Sequence, residues 1–496
     1  MLLIGYDIGS SSIKASLLNA QTGKVLALAT SPKTEMEISA PHPGWAEQQP
    51  QVWWQHIKIT TAEIKSQVKF DPKDVRAIGL SYQMHGLVVV DKNRNVLRPS
   101  IIWCDSRAVP IGEKALAKIG SEKCLQRLLN FPGNFTASKL RWIRENEPSI
   151  YKQIDKAMLP GEYIAMLMTD EIVTTPSGLS EWILWDYQDH EPAKIVLDEM
   201  DISPELIPKV MPNFSIQGEL TQKAAIDIGL TPGTPVSYRA GDQPNNALSL
   251  NVLDPGEVAA TAGTSGVVYG IGGSATYDVK SRVNTFIHVN HSETKPRYGV
   301  LLCLNGTGSL NRWLKNNLTI ESSYPEMNDL ASKAPIGAEN LVILPFGNGA
   351  ERTLENRDIG ASIHGLRFNC HQHSHILRAA QEGIVFALNY GLEIFQEMEI
   401  KIKIIRAGFT NMFLSPLFTE TFATVSGAQI ELFDTDGSQG AARGAGIGAG
   451  IYRSLPEAFT GLKRIVHIEP NYTQRQLYLD AYKIWKQTLA KQLNQL

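Results

Sequence analysis

Cysteine is scarce in this chain: four residues in 496 (Cys104, Cys124, Cys303 and Cys370), with no C-x-x-C pair among them. That scatter excludes a disulfide framework and leaves a zinc site without its usual thiolates. An excess of basic charge is also missing. Lys and Arg number 47 against 50 Asp and Glu, a formal net charge of −3, so no global positive field recruits nucleic acid or an anionic membrane. No apolar run approaches the length of a membrane span, and residues 1–6 carry no basic region followed by an apolar one; the expected location is the cytoplasm. No Ser–His–Asp set or activated cysteine is evident. His371, His373 and His375 alternate ahead of a helical run, and a polar loop leading into the helix is a better reading of them than a metal site. The glycines of 440–448 do not follow the G-x-G-x-x-G order, which argues against a hydride-transfer cofactor.

What the chain does have is two short glycine–hydroxyl turns half a chain apart. The first is Asp7-Ile8-Gly9-Ser10-Ser11-Ser12 and the second Ala262-Gly263-Thr264-Ser265-Gly266, each between β-rich runs (2–6 and 13–18; 257–260 and 267–269). Small residues let backbone N–H groups approach an anion, and hydroxyls on the same turn add donors to phosphate oxygens. One such turn alone is more often an ordinary hairpin. A pair, one opening each half, points to the phosphates of a nucleotide.

At this length two large domains are expected. Residues 2–30 read as a three-strand meander, 53–68 as a helix, and 76–80, 86–91 and 99–103 as strands. From about 105 to 235 the pattern turns helical and irregular, with breaks at Pro132-Gly133, Pro148 and Pro160-Gly161: an α-rich insertion. A strand at 235–239 and a fresh meander from Glu257 follow, then a helical run at 376–397, a strand at 403–407 and a small-residue segment at 440–450. Meanders opening both halves suggest a duplicated α/β fold, with the domains at 1–240 and 241–496 and a cleft between them.

Several side chains in this frame carry chemistry. Asp242 follows a strand through Ala240-Gly241, where a carboxylate at a cleft edge suits a general base; with Pro244 just beyond, it equally suits the start of a helix. Asp7 ends the first strand beside the first turn. A carboxylate next to phosphates calls for a divalent cation such as Mg²⁺, which needs only one or two such ligands; the alternative is a plain strand-end residue. Gln83, Met84 and His85 combine an apolar wall with polar tips, suited to a small polyol, although a lone histidine is more often structural. Trp103 and Asp105 could cover and bind a sugar, or Asp105 could form a satisfied ion pair with Arg107 beside a core tryptophan.

On these residues the chain resembles the FGGY carbohydrate kinases, from about residue 3 to about residue 454. DIGSSSIK (7–14) is similar to the family's first phosphate motif, TAGTSG (261–266) to its second, and GDQ (241–243) to its catalytic motif. PHPGWAEQQPQVWW (41–54) resembles a stretch shared by pentulose kinases, and QMHG (83–86) the pentulose loop, where glycerol-type members carry an Arg-Glu pair. IIWCDSR (101–107), NGTGSLNRWL (305–314), AERT (350–353) and the adenosine-side segment 437–450 also fit. Three places depart from the pattern: Tyr82 replaces a small residue, Arg239-Ala240 replaces glycines, and only Gly408 keeps its place in the adenosine motif at 406–411.

The resemblance implies an actin/hexokinase-like fold of two ribonuclease-H-like domains, and transfer of phosphate from ATP to the 5-hydroxyl of D-xylulose. It implies Asp242 as proton acceptor and Asp7 as the carboxylate organising Mg²⁺–ATP. Gln83, Met84, His85, Trp103, Asp105, Asp242 and Gln243 would meet the sugar. Gly9, Ser10, Ser11, Ser12, Lys14, Gly263, Thr264, Gly308, Gly408 and Asn411 would meet ATP. Another FGGY kinase, acting on L-ribulose, a deoxyhexulose or glycerol, is the nearest alternative. An actin-like nucleotide-dependent binding protein would keep both turns without needing the sugar loop or the base. A homodimer is compatible with the family.

Overall fold

A computed structural model describes residues 1–319 and 322–495. The chain forms two compact units. The first comprises Met1–Asn251, Phe286–Tyr298 and Thr435–Leu462, and the second Val252–Thr285, Gly299–Asp434 and Lys463–Leu496.

The first unit is built on a five-stranded sheet. Strands β1 (Leu2–Ile8), β2 (Ile13–Asn19) and β3 (Val25–Ser31) form the meander, and α1 (Pro50–Gln67) leads to β4 (Val75–Tyr82). Nearly every residue of β1 is buried, as expected of a central strand covered on both faces, which reads as a continuous apolar run. It pairs antiparallel with β2 and parallel with β4. The segment between β4 and the next sheet strand is largely helical and includes α2 (Pro176–Trp182), whose start is fixed by Pro176 and by the Thr175 hydroxyl accepting from the Gly178 N–H at 3.0 Å. Strand β5 (Val236–Gly241) adds parallel to β4 and runs directly into α3 (Asp242–Ser249). The sheet order is β5-β4-β1-β2-β3.

The second unit repeats the plan. Strands β6 (Glu257–Ala262), β7 (Gly266–Gly272), β8 (Asn284–Ile287) and β9 (Tyr298–Leu304) precede α4 (Thr307–Asn317) and the long α5 (His373–Glu397). Strands β10 (Ile404–Gly408) and β11 (Gln429–Phe433) follow; the chain then leaves the unit for α6 (Gly437–Gly448), which belongs to the first unit, and returns with β12 (Arg464–Ile468) and α7 (Arg475–Leu493). The order β8-β9-β7-β6-β10-β11-β12 contains the first sheet's arrangement. In each, a central strand has an antiparallel hairpin partner on one side and two successive parallel strands on the other. This is the ribonuclease-H-like topology, present twice, as in the actin/hexokinase-like fold. The core of the second unit gathers Val258, Ile405 and Ile430, which are register partners across the sheet's parallel half, together with Phe386, Phe418 and Trp485.

Two expectations are corrected. The first unit does not stop at residue 240 but keeps α3, because β5 hydrogen-bonds along β4 and α3 packs against α6. The small-residue segment 437–450, expected in the C-terminal domain, forms α6 in the first unit, where it lies against β1, β4 and β5. Its glycine partners explain the placement. A methyl on Gly5 would sit 2.0 Å from the Ser438 carbonyl oxygen and one on Gly79 1.9 Å from that of Ala441, so the helix backbone rests directly on the sheet. Among the described residues no helix is long and apolar enough to cross a membrane.

Candidate active site

The carboxyl ends of β1, β4 and β5 bring the predicted acids of the first unit together. Asp7, on β1, is the parallel register partner of Ser81 on β4, and the Ser81 hydroxyl donates to Asp7 Oδ1 at 2.8 Å. Lys14 is its antiparallel partner on β2. The first residue of α6 touches the other oxygen: a methyl on Gly437 would fall 2.5 Å from Asp7 Oδ2. A helix N-terminus presents partial positive charge to that carboxylate. Burial raises the Asp7 carboxyl above its ordinary value, opposed by the Lys14 charge and the Ser81 hydrogen bond, while the Asp436 charge adds to the rise.

Asp242 opens α3 immediately after β5. Part of its surface stays accessible, yet it lies deep enough among protein atoms that burial, followed by the charge of Asp7, pushes its carboxyl up to about 7. Donors from the Gln243 backbone and side chain pull the other way. Two carboxyls that feel each other, one at a strand end and one at a helix start, can divide the work of cation and proton handling.

The loop after β4 supplies the residues expected at the sugar. Gln83 is buried, its backbone N–H donating to the Ile8 carbonyl at 2.8 Å and its amide to Gln48 Oε1 at 3.4 Å. Met84 lies against Gly241, where a built methyl would meet its Cγ at 2.6 Å. The His85 Nδ1 bonds the Glu181 carbonyl at 2.9 Å, and its ring lies edge-on to Phe135 at 5.1 Å. Lys139, fully buried, donates from Nζ to the carbonyls of His85 (2.7 Å) and Ile102 (3.1 Å), and burial lowers its ammonium to about 7. Tyr82 is fully buried under Gly161, whose built methyl would meet its ring at 2.1 Å. Arg239 is buried too and donates to the Val173 carbonyl at 2.7 Å.

Trp103 and Asp105 part company. Trp103 is 43% exposed and donates its indole N–H to Ser10 Oγ at 3.2 Å, which joins it to the first turn. Asp105 has no exposed surface. Arg107 Nε donates to both its oxygens, at 3.0 and 2.9 Å, and the Ala46 N–H to Oδ2 at 2.6 Å. The Arg107 guanidinium in turn stacks on Trp45 at 3.6 Å. The expectation of Asp105 as a sugar contact is therefore corrected: its lone pairs are spent on fastening the loop, and the ion-pair reading of that cluster is the one the structure adopts.

In the first turn the Gly9 N–H is bonded to the Ser12 carbonyl at 3.1 Å, the Ser10 carbonyl accepts from Gln48 Nε2 at 2.7 Å, and Ser11 and Lys14 are exposed. The second turn, between β6 and β7, is held by the start of α4. The Gly263 carbonyl accepts from the Gly308 N–H at 2.8 Å and from Thr307 Oγ1 at 2.9 Å, and Thr264 is exposed. The Asn411 amide lies 3.5 Å from a methyl built on Gly263, and Gly408 ends β10 three positions earlier. Gly263, Thr264, Gly308 and Asn411 thus converge within the second unit.

A sequence model of the FGGY family of carbohydrate kinases, N-terminal domain, matches residues 2–249, and one of the C-terminal domain matches 258–451. The chain belongs to that family. It is similar to xylulose kinase of Escherichia coli (29% identical over 500 residues, covering 100% of this chain and 99% of that protein). It is also similar to xylulose kinase of Bacillus subtilis (29% over 504 residues, 99% and 98%). The crystal structure of xylulose kinase from Rhodospirillum rubrum superimposes with a TM-score of 0.89 at 26% identity, covering 99% of each chain. This FGGY member is an ATP-dependent sugar kinase.

Sequence reasoning missed several residues around the family's motifs. Ser81, Asp436 and Thr307 act on Asp7 and Gly263 from distant positions, and no spacing rule brings them there. Glu181 and Lys139 left a weak signal, each being a charged residue inside an otherwise core-like run (LSEWILW and FTASKLRW), where ionisable groups are rare unless held by partners.

Proposed function

We propose that this sugar kinase phosphorylates D-xylulose on its 5-hydroxyl, giving D-xylulose 5-phosphate and ADP, with Asp242 as the general base. The observation that carries the choice of sugar is the whole-length similarity to proteins named xylulose kinase, 27 to 29% identical across 90 to 100% of this chain. The QMHG loop at 83–86 supports it. Asp242 orients the acceptor hydroxyl and takes its proton late, because phosphoryl transfer has a loose transition state in which positioning and charge neutralisation dominate over base strength. Met84 and His85 hold the sugar, with Gln83, Gln243 and Trp103 beside them. Gly9, Ser10, Ser11, Ser12 and Lys14 on one turn, and Gly263, Thr264, Gly308, Gly408 and Asn411 in the second unit, are assigned to ATP.

Asp7 fits Mg²⁺. It is a hard oxygen donor whose carboxyl is raised by burial and by the Asp436 charge, and which itself raises Asp242; a divalent cation relieves that crowding of negative charge. When bound, Mg²⁺ supplies neutralisation of the phosphate oxygens. The protein's own part is to keep the Asp7 carboxylate ionised, through Ser81 and Lys14, and to keep the acceptor hydroxyl against Asp242. The reading puts the reaction in the cytoplasm, on small molecules, with neither nucleic acid nor membrane as partner.

The test is a coupled ADP assay across D-xylulose, L-ribulose, a deoxyhexulose and glycerol. D-xylulose is expected to give the highest kcat/KM, and the product to carry phosphate on O5. A higher value for any of the others overturns the choice of sugar. In the same assay His85→Ala is expected to lower kcat/KM for the sugar at least tenfold while leaving sugar-independent ATP hydrolysis nearly unchanged. Equal loss of both would make His85 a structural residue.

A further inference from the structure

Helix α2, PSGLSEW, is buried along almost its whole length, an expensive place for an acid unless its oxygens are used. Glu181 has no exposed surface. Its Oε1 accepts from the N–H of Gly241, the residue before Asp242, at 3.2 Å. There is no slack at this corner: a methyl on Gly241 would sit 2.4 Å from the same Oε1 and 2.6 Å from Met84 Cγ. The main-chain carbonyl of Glu181 bonds His85 Nδ1 at 2.9 Å. A carbonyl can only accept, so the ring proton lies on Nδ1, and in the neutral ring Nε2 is an acceptor.

His85 is held in a conformation it would not choose. Its φ is 60°, the left-handed region that side chains other than glycine enter rarely and keep only when surrounding contacts over-determine them. Those contacts are the Glu181 carbonyl on the ring and Lys139 Nζ on the His85 carbonyl. The residue before Glu181 extends the same support: Ser180 Oγ accepts from the Ile287 N–H at 3.1 Å, and the adjacent Phe286 flanks the His85 ring at 5.6 Å.

We propose that Glu181 is a positioning residue for the sugar: one side-chain oxygen and one main-chain oxygen fix the Gly241–Asp242 corner and the His85 imidazole to each other. Base and sugar loop then stand at one separation, and the acceptor hydroxyl is presented to the base without a search. This rests on the reading that Asp242 and His85 meet the sugar. Burial, with the Asp242 charge behind it, raises the Glu181 carboxyl, and what Glu181 offers the Gly241 N–H is one accepting oxygen that the glutamine amide carbonyl can imitate.

Steady-state kinetics with D-xylulose and calorimetric ADP binding test it on the full chain. Glu181→Gln is expected to keep kcat/KM for the sugar within about threefold of the parent. Glu181→Leu leaves the Gly241 N–H buried without a partner and is expected to lower kcat/KM about 30- to 100-fold, with ADP affinity within about twofold. The proposal is overturned if the leucine variant keeps its kcat/KM, if the glutamine variant falls equally far, or if ADP affinity falls in step. Should the leucine variant fail to fold, Glu181→Asp decides. One methylene shorter, it is expected to lose about tenfold where the glutamine form does not, and equal activity of the two overturns the proposal. A parent that phosphorylates none of the sugars overturns both readings, whereas an active parent indifferent to position 181 overturns this one alone.

Discussion

Replacing Asp242 by asparagine is expected to lower turnover by about two to four orders of magnitude while leaving ADP and sugar binding close to the parent's. Asparagine keeps the shape at the head of α3 but cannot accept the proton. A pH profile separates this from a loss of geometry. With its carboxyl pushed up to about 7 by burial and by Asp7, Asp242 in the parent is protonated at lower pH. kcat/KM for the sugar should therefore climb as pH rises through about 7 and level off above, and the asparagine variant should lose that limb. Stability moves the other way. The folded chain holds the Asp242 proton more tightly than the unfolded one, so the stabilisation this gives is present at low pH and is lost as pH rises through the folded value. Above it the parent carries a buried charge that the variant lacks. The variant should then unfold a few degrees higher at pH 8, the gap closing toward pH 5. Parent-like kcat in the variant would remove Asp242 from the base role, and an unchanged unfolding midpoint at pH 8 would mean that the carboxyl is not strained.

The strands around both turns were legible because each is a short β-rich run broken by residues that only a turn wants. The reading of 2–30 as a meander matches β1, β2 and β3, and the helical run at 376–397 begins three residues earlier, at His373, where the Gln372 N–H donates to His375 Nδ1 at 3.2 Å. Partners far along the chain were not legible. Asp105 looked like a sugar ligand because Trp103 stood two residues away, but the aromatic ring that completes its ion pair is that of Trp45. The boundary near 240 failed for a related reason. A chain that leaves a unit after α3 and returns to it as α6 gives no compositional mark at the crossing. Glu181 went unremarked because an acid in a buried run declares that it has a partner without naming it.

Gly79→Ala is expected to cost the first unit about 3 kcal/mol, seen as a fall of roughly 5–10 °C in its unfolding midpoint. Gly79 on β4 stands beside Gly5 on β1 in the parallel register, and together they form the notch in which α6 rests. An alanine methyl at position 79 would meet the Ala441 carbonyl oxygen at 1.9 Å, its carbon at 2.7 Å and the Ala445 methyl at 3.1 Å. The atoms in the way are helix backbone, which cannot swing aside as the tip of a flexible side chain can, so the helix must lift as a body. Lifting it also withdraws Gly437 from the Asp7 carboxylate, which it now touches. Activity at a temperature where the variant is still folded should fall along with stability, the loss showing first in the Mg²⁺–ATP dependence rather than in the sugar KM. Gly272→Ala, where the new methyl meets Ile400 at 3.4 Å and the Ser274 carbonyl oxygen at 3.8 Å, both ordinary contacts, is the control and should move the midpoint little. A Gly79→Ala protein as stable as that control would mean that α6 does not bear on the sheet through these glycines. The close approach of helix to strand would then not be what holds Asp7 against the helix start.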